Sequence, residues 1–269
     1  MPTVREAFTN AVRVGRGNRL RPNTIRALLE TQKQFEETFG ADAALPVDLS
    51  EFKAAMARYA PSTVNRHLRC YKRVCRLSKV QAEITMLRVP KKRPDTLSET
   101  EITRLLNAAG RLHPIILFAV DTGARRSEIV GLRWENVDIQ RRRCVIADAK
   151  DGSERLVPLS KRLIETLKLL PKGEFVFRKT RHKDQPFHVN AISNAINEVF
   201  KKAGLSKNRR GLHSLRRSFC TRASNAGVPI ATTMAISGHR QVSTMLNYYV
   251  SVSDESMVDA VDKLARDDS

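Results

Sequence analysis

The last quarter of the chain concentrates side chains that can bind and react with phosphate esters. The stretch "HSLRRSFC" carries His213 and Arg216, "SGH" adds His239, and "NYY" places Tyr248 beside Tyr249. Guanidinium groups match the geometry of phosphate oxygens, and fixed cations lower the energy of a phosphoryl-transfer transition state. Nearby cations also favour the phenolate form of a tyrosine, which is a nucleophile. Together these groups could break and remake a phosphodiester bond.

The charge of the whole chain fits such a substrate. Its 269 residues include 48 Lys and Arg against 28 Asp and Glu, a net charge of +20. That excess favours a polyanionic partner, with nucleic acid as the first candidate and an acidic membrane surface as the rival. Against the rival, the sequence has no run of about 18 apolar residues and no apolar signal segment at its start. We therefore expect a soluble cytosolic protein that binds nucleic acid and no membrane.

The four cysteines, Cys70, Cys75, Cys144 and Cys220, form no CxxC pair. A chain without a secretion signal gives them no oxidising compartment in which to form disulfides. The spacing of His67 with the first two cysteines matches no common zinc pattern. We expect buried or half-buried free thiols and no metal site.

Residues 1–90 have the apolar spacing of an all-helical region, with helices expected between Thr3 and about Leu87. Pro61 and the Ser-Thr pair after it predict a turn and a cap for a helix that begins near Val64. This helix carries basic residues and no acidic ones, which favours phosphate contact over a merely solvated surface. The candidate DNA-binding residues on it are Arg66, Arg69, Lys72 and Arg73.

Residues 91–96 are predicted to be a basic linker between two domains. The run "VPKKRPDT" contains two prolines, which suit an extended connection better than a helix interior. Its basic residues Lys91, Lys92 and Arg93 are further DNA-binding candidates. Because the sequence on both sides of the linker has a basic excess, both domains are expected to touch the polyanion. They could close around a duplex as a clamp.

Residues 97–269 are predicted to form a second domain that is largely helical. Ser98, followed three residues later by Glu101, matches a capping box ahead of an amphipathic helix. The stretch "PIILFAVDTG" is apolar nearly all round and predicts a buried helix that ends at Gly123.

The same domain is predicted to contain one small sheet. Strand-like runs at Cys144–Ala147 and Leu156–Leu159 flank an Asp-Gly turn, which predicts a hairpin with Lys150 near its tip. The run "EFVF" is expected to add a third strand. The predicted fold class is therefore mainly α with a small antiparallel β-sheet (α+β).

Five separated elements of the sequence agree in order and spacing with one known family. They are "TGARRSEIVGLRWENVD", the hairpin lysine, "HSLRRS", "SGH" and "NYY". Together they resemble the catalytic domain of tyrosine recombinases, the phage-integrase family. Any one element alone would be a weak signal, whereas their agreement is specific. The resemblance covers nearly the whole chain and implies an all-helical core-DNA-binding domain followed by an integrase-like catalytic domain.

The resemblance also implies which residues form the site. Glu128 would support the first arginine of the family pattern. Arg126 and Ser237 depart from the pattern, since they stand where apolar residues are common. Tyr249 adjoins the nucleophile position, but the spacing after the "SGH" element favours Tyr248. The implied catalytic residues are Arg125, Lys150, His213, Arg216, His239 and Tyr248.

The implied chemistry is a phosphoryl transfer without metal or other cofactor. Arg125 and Arg216 would grip the scissile phosphate where other enzymes use metal ions, although contact with backbone phosphates alone is the alternative. Tyr248 would attack the phosphate and form a 3′-phosphotyrosine that keeps the bond energy, so that rejoining needs no ATP. Lys150 would protonate the departing 5′-hydroxyl as a general acid.

The two histidines would assist this transfer. His213 would accept or relay the proton of the nucleophile, and His239 would donate a hydrogen bond to a phosphate oxygen.

The function implied is a site-specific DNA recombinase, or integrase, acting on double-stranded DNA recombination sites. The amphipathic segment "ESMVDAVDKLA" near the C-terminus is expected to dock on a neighbouring subunit of a homotetramer, with packing on its own subunit as the alternative. Accessory DNA-bending proteins are left open. Such a protein would be cytoplasmic, associated with DNA and encoded by a prokaryote, a phage or a mobile element.

Two other functions remain compatible with the sequence. A type IB topoisomerase-like enzyme that relaxes DNA shares the same chemistry, and a noncatalytic DNA-binding protein could retain the fold. The sequence does not decide between integration, excision and resolution as the biological role.

Overall fold

The computed structural model describes residues 1–90, 95–147, 153–178, 185–205 and 211–249, together with Asp262. The chain forms two compact units, Met1–Lys92 and Arg93–Ser269. The linker candidates Lys91, Lys92 and Arg93 lie outside the described residues. Within those described ranges, no helix is long and apolar enough to cross a membrane.

The first unit is built from four helices, α1 (Val4–Gly17), α2 (Pro22–Phe39), α3 (Leu49–Ala55) and α4 (Pro61–Leu77). The last helix ends ten residues before the predicted limit near Leu87, and the chain then continues without regular secondary structure. The side chain of Asn65 holds this segment, because it donates to the Leu87 carbonyl and accepts from the Leu87 amide, both at 2.8 Å. A side chain therefore satisfies backbone groups that helical hydrogen bonds would otherwise satisfy.

Helix α4 begins at Pro61, earlier than the predicted start near Val64. Proline is tolerated in the first helical position because the first amides of a helix have no intrahelical acceptor. The residues that suggested a turn are therefore the first turn of the helix.

Aromatic side chains fill the core of the first unit. Phe35 on α2 stacks on Phe52, with ring centroids 4.2 Å apart, and on Tyr71, at 4.7 Å. All three side chains are fully buried. The core therefore ties α2, α3 and α4 together through one ring.

The second unit contains eight α-helices in the described residues. The helix α6 is apolar and buried along its length, as predicted, and it packs against α5, α8 and α10. The predicted capping box of Ser98 and Glu101 is present at the start of α5. The helices are α5 (Glu99–Ala108), α6 (His113–Thr122), α7 (Arg126–Val130), α8 (Lys161–Lys168), α9 (Val189–Lys202), α10 (Leu212–Asn225), α11 (Ile230–Ser237) and α12 (Val242–Tyr249).

A small antiparallel sheet of order β1-β2-β3 completes this unit, which confirms the predicted fold class. The predicted hairpin is formed by β2 and β3, with Val145 opposite Leu156, and each strand begins slightly earlier than expected. The strands are β1 (Val137–Asp138), β2 (Arg143–Ala147) and β3 (Glu154–Pro158).

The prediction of a strand at "EFVF" was wrong. The third strand is β1, and Phe175 makes only an isolated bridge to Arg133. Val176 and Phe177 are buried in the main core of the unit, and the Val176 amide donates to the Leu132 carbonyl at 2.9 Å. The apolar run therefore serves core packing rather than the sheet.

Replacing Phe35 tests the aromatic core of the first unit. We expect Phe35→Ala to lower the free energy of unfolding of this unit by about 3–5 kcal/mol, because it removes a buried ring and leaves a cavity. Leu29→Ala on the same helix is the matched control, since Leu29 is 45% exposed, and its effect should stay within about 0.5 kcal/mol. Native-state hydrogen exchange of the α2 amides measures both, and equal losses would contradict the assignment of the core.

Candidate active site

Arg125 lies in the turn between α6 and α7. The turn depends on Gly123, which has a φ of +62° and no room for a side chain, because an added Cβ would lie 2.5 Å from Phe219 Cδ1. Arg125 Nη1 donates to Glu128 Oε1 at 2.7 Å, and its Nη2 donates to the Gly238 carbonyl at 2.5 Å. The guanidinium is therefore fixed from two sides.

Glu128, on α7, is the carboxylate that organises the site, and its side chain is 4% exposed. It accepts hydrogen bonds from the Arg125 amide and guanidinium and from both terminal nitrogens of Arg155, at 2.7 to 3.0 Å. Burial alone would raise the pKa of this carboxyl, but the hydrogen bonds from Arg155 and Arg125 hold the pKa below its usual value. Glu128 is ionised at neutral pH and holds two arginines.

Arg155, on β3, is a site residue that the sequence analysis missed. Its two terminal nitrogens donate to the two carboxylate oxygens of Glu128, a pair of hydrogen bonds called here the Arg155 fork. Its Nε donates to the Ile236 carbonyl at 2.9 Å. A signal was present in the sequence, because strand alternation places Arg155 on the same face as the apolar Val157. An arginine at an inward position of a strand needs a buried carboxylate as partner.

Arg216, on α10, is almost fully buried and donates through Nη1 to the carbonyls of Gly123, at 2.6 Å, and Ser237, at 2.5 Å. These carbonyls belong to the C-terminal ends of α6 and α11. Burial and the neighbouring Arg125 lower the pKa of Arg216 to about 10. The guanidinium still carries its charge at neutral pH.

His239 directly follows Gly238, which ends α11 in a left-handed conformation. The Ser237 hydroxyl donates to the Thr233 carbonyl at 2.6 Å and lies 2.8 Å from His239 Nδ1. Since that hydroxyl has a single proton, its oxygen accepts from Nδ1–H, and this tautomer leaves Nε2 of the neutral ring as an acceptor. Ser237, which departs from the family pattern, therefore sets the tautomer of His239.

Both histidines of the site are neutral at pH 7. Burial, followed by repulsion from Arg216 and Arg125, lowers the pKa of His239 to about 4. Burial and the adjacent Arg217 and Arg216 lower the pKa of His213 as well. A neutral His213 can accept a proton, whereas the predicted donation by His239 to a phosphate requires its ring to gain one.

The side chains of two arginines and two histidines share one open pocket of about 770 Å³. Its wall joins the α6–α7 turn, the start of α10, the turn after α11 and one face of α9. Arg126 also reaches it and donates to Ser193 on α9 at 2.6 Å. The charged and titratable residues in the wall are Arg125, Arg126, His213, Arg216 and His239.

Two predicted catalytic groups cannot be placed in this pocket. Lys150 lies outside the described residues, in the segment between β2 and β3. The backbone of Tyr248 belongs to α12, whose Thr244 lines the pocket. The side-chain position of Tyr248 is outside what the structure describes.

The predicted DNA-binding residues on α4 divide into two groups. Arg69, Lys72 and Arg73 line a second open pocket of about 860 Å³ in the first unit, together with the segment after α4. Arg66 instead donates to Glu30 at 2.8 Å. Part of the positive charge of Arg66 is therefore already balanced within the protein.

The cysteines are free, and three of the four are buried. Burial raises the pKa of Cys144 to about 12 and that of Cys220 to about 11, so both thiols stay protonated at neutral pH. Among the residues with described positions, no three His, Cys, Asp or Glu side chains group as metal ligands.

The sequence matches known proteins. The model of the phage integrase family matches residues 95–256. The chain is 26% identical to tyrosine recombinase XerA of Pyrococcus horikoshii over 255 residues, which is 90% of this chain and 87% of the relative. It is 30% identical to a tyrosine recombinase of Thermosipho africanus over 186 residues, 66% of this chain and 64% of the relative.

Solved structures share the fold. The Tn1549 transposon integrase in complex with transposon right end DNA superimposes with a TM-score of 0.82 at 18% identity, covering 98% of this chain and all of that one. A lambda integrase dimer bound to a COC′ core site gives 0.75 at 17% identity, covering 92% and 77% of the two chains.

The buried cations predict the titration of His239. In DNA-free protein we expect its ring to take up a proton near pH 4 rather than near 6.5, because burial and two arginines oppose the charged form. The unfolded chain then binds protons first as the pH falls from 6.5 to 4, so this group stabilises the fold above that window and less within it. NMR titration of the ring protons measures the pKa, with the urea-unfolded chain as control. A folded-state midpoint near 6.5 would contradict the described environment.

Proposed function

Because the chain belongs to the phage integrase family, we propose that it is a site-specific DNA recombinase that works through a covalent 3′-phosphotyrosine. The observation that carries the proposal is the single pocket that holds Arg125, Arg216, His213 and His239. Helix α12 passes this pocket and contains Tyr248. The pocket thus combines cations for a phosphate with a neutral base, next to the helix that supplies a phenol.

The arginines stabilise the transition state. Attack on a phosphodiester places extra negative charge on the nonbridging oxygens, and preorganised cations lower the energy of that state. Arg216 is held by backbone carbonyls and Arg125 by Glu128 and the Gly238 carbonyl, so neither has to reorganise when charge develops. Their positive charge takes the place that metal ions have in other phosphoryl-transfer enzymes.

The covalent step exchanges one phosphate ester for another. The oxygen of Tyr248 forms a bond to the scissile phosphorus, and the bond from phosphorus to the 5′-oxygen breaks. His213, which burial keeps neutral, takes the phenol proton, and Lys150 gives a proton to the leaving 5′-oxygen. Attack by a 5′-hydroxyl of another strand reverses the step, so the reaction needs no ATP.

Double-stranded DNA is the proposed partner of both units. The chain has a net charge of +20. The pocket lined by Arg69, Lys72 and Arg73, called here the α4 pocket, offers several cations to phosphates. We also propose Lys91, Lys92 and Arg93 as phosphate contacts and a homotetramer joined through the C-terminal segment. Apart from Asp262, these residues and that segment lie outside the described ranges, so the sequence alone supports this part.

Replacing the nucleophile tests the mechanism. The substrate is a DNA segment recovered with the protein from its cells, made as a nicked duplex whose short leaving strand diffuses away after cleavage. We expect wild type and Tyr249→Phe to accumulate a covalent adduct and Tyr248→Phe to form none, because only position 248 would supply the attacking oxygen. Denaturing gels measure the adduct.

The outcomes separate the alternatives. No adduct with wild type on a verified binding site would favour a noncatalytic DNA-binding protein. Efficient relaxation of supercoiled plasmid without that site would favour a topoisomerase-like enzyme.

The α4 pocket generates a separate prediction about DNA binding. Arg69→Gln and Lys72→Gln should each reduce the slope of log affinity against log salt by about 1, because each removes one phosphate contact. Arg66→Gln is the matched control on the same helix and should change the slope less, since Glu30 already pairs with Arg66. Fluorescence anisotropy with a short duplex at several salt concentrations measures the slopes. Equal changes at positions 66 and 69 would rule out this division of the helix.

A further inference from the structure

All three side-chain nitrogens of Arg155 form hydrogen bonds within the protein itself. Its terminal nitrogens form a fork on Glu128, at 2.7 and 3.0 Å, and its Nε donates to the Ile236 carbonyl at 2.9 Å. Its side chain is 13% exposed, against 35% for Arg125. It lies behind the pocket and does not form part of its wall.

The contacts of Arg155 lead to two groups that do form the wall. Through Glu128 it reaches Arg125, since Oε1 accepts from both guanidiniums and Oε2 accepts from Arg155 and from the Arg125 backbone amide. It also packs under Gly238, where an added Cβ would lie 2.8 Å from the Arg155 guanidinium carbon. That glycine has a φ of +72°, its carbonyl accepts the hydrogen bond from Arg125 Nη2, and it is followed directly by His239.

The strand that carries Arg155 thus meets α7 and the turn after α11 through one guanidinium. A second contact near the same place joins Arg240 to Ser153, with Nη2 2.9 Å from Oγ. Removing the Arg155 fork would leave half of the hydrogen bonds to a buried carboxylate unmade, and Glu128 would then draw Arg125 out of its present position.

We propose that Arg155 is a positioning residue, which holds Arg125 and His239 at the scissile phosphate without touching the phosphate itself. This inference rests on the proposed function and deepens it. It predicts that loss of Arg155 damages the stabilisation of phosphate charge rather than the departure of the 5′-oxygen.

The test compares cleavage by Arg155→Gln on two forms of the same nicked duplex. One has an ordinary scissile phosphate, and the other has a methylphosphonate, in which a methyl group replaces one nonbridging oxygen and removes the negative charge. On the phosphate we expect cleavage to slow about 100-fold, as for a misplaced catalytic group. On the methylphosphonate the difference from wild type should shrink to less than about 5-fold, because less charge needs stabilising.

Two further variants bracket this result. Arg155→Lys keeps the charge but loses the fork and should fall between wild type and Arg155→Gln. Arg143→Gln is the matched control, since Arg143 lies on the neighbouring strand and pairs at 3.8 Å with Asp138 away from the pocket. It should cleave both substrates like wild type, and thermal unfolding checks that all variants are folded at the assay temperature.

Several results would overturn the inference. Equal losses on both substrates would show a general structural defect. Rescue only by a duplex with sulfur at the 5′-bridging position, a leaving group that needs no proton, would show that Arg155 acts through the general acid instead. An unchanged cleavage rate would show that the fork is dispensable.

A readout without catalysis separates this inference from the proposed function. Arg155→Gln should shift the NMR resonances of the His239 ring and the Arg125 guanidinium in DNA-free protein, while Arg143→Gln should leave them in place. Unshifted resonances overturn the positioning role even where wild type cleaves DNA. Shifted resonances with no wild-type adduct would support the positioning contact and reject the proposed recombinase chemistry.

Discussion

The second unit depends on positive charge that is buried without being neutralised. Arg216 is almost fully buried, yet it donates to two backbone carbonyls rather than to a carboxylate. Those carbonyls end α6 and α11, where aligned peptide dipoles leave partial negative charge. The full negative charge of Glu128 is shared between Arg125 and Arg155. Partial charges therefore hold Arg216, one carboxylate is shared by two guanidiniums, and the three arginines together keep a surplus of positive charge.

Much of the fold could be predicted because its signals are local. The capping box at Ser98, the glycine that ends α6 and the hairpin of β2 and β3 each depend on residues close together in the sequence. The predictions were wrong where contacts between residues far apart in the sequence determine the structure. Val176 packs in the core and pairs its backbone with Leu132, which no local β-pattern reveals. The segment after α4 is likewise held by a distant contact, from Asn65 to Leu87, 22 residues further on.

The site shows the same division. The resemblance to the tyrosine recombinase family implied Arg125, Arg216 and the two histidines, and the fold brings all four to one wall. Arg155 was missed because its role depends on its hydrogen bonds to Glu128, which lies 27 residues earlier in the chain. The alternation of the strand places it inward, but alternation cannot identify the carboxylate that it meets. The role of Ser237 was hidden in a similar way, since only the geometry shows that its hydroxyl fixes an imidazole tautomer.

The surplus of charge also links binding to protonation. His239 is neutral at pH 7 because burial and the arginines disfavour a further positive charge. Under the proposed function, a phosphate bound in the pocket would supply the opposite charge, which would favour the imidazolium and raise its pKa. Nε2 would then change from an acceptor into a donor. Under the proposed function the fold thus prepares the cations in advance, whereas the substrate would complete the hydrogen bond from this histidine.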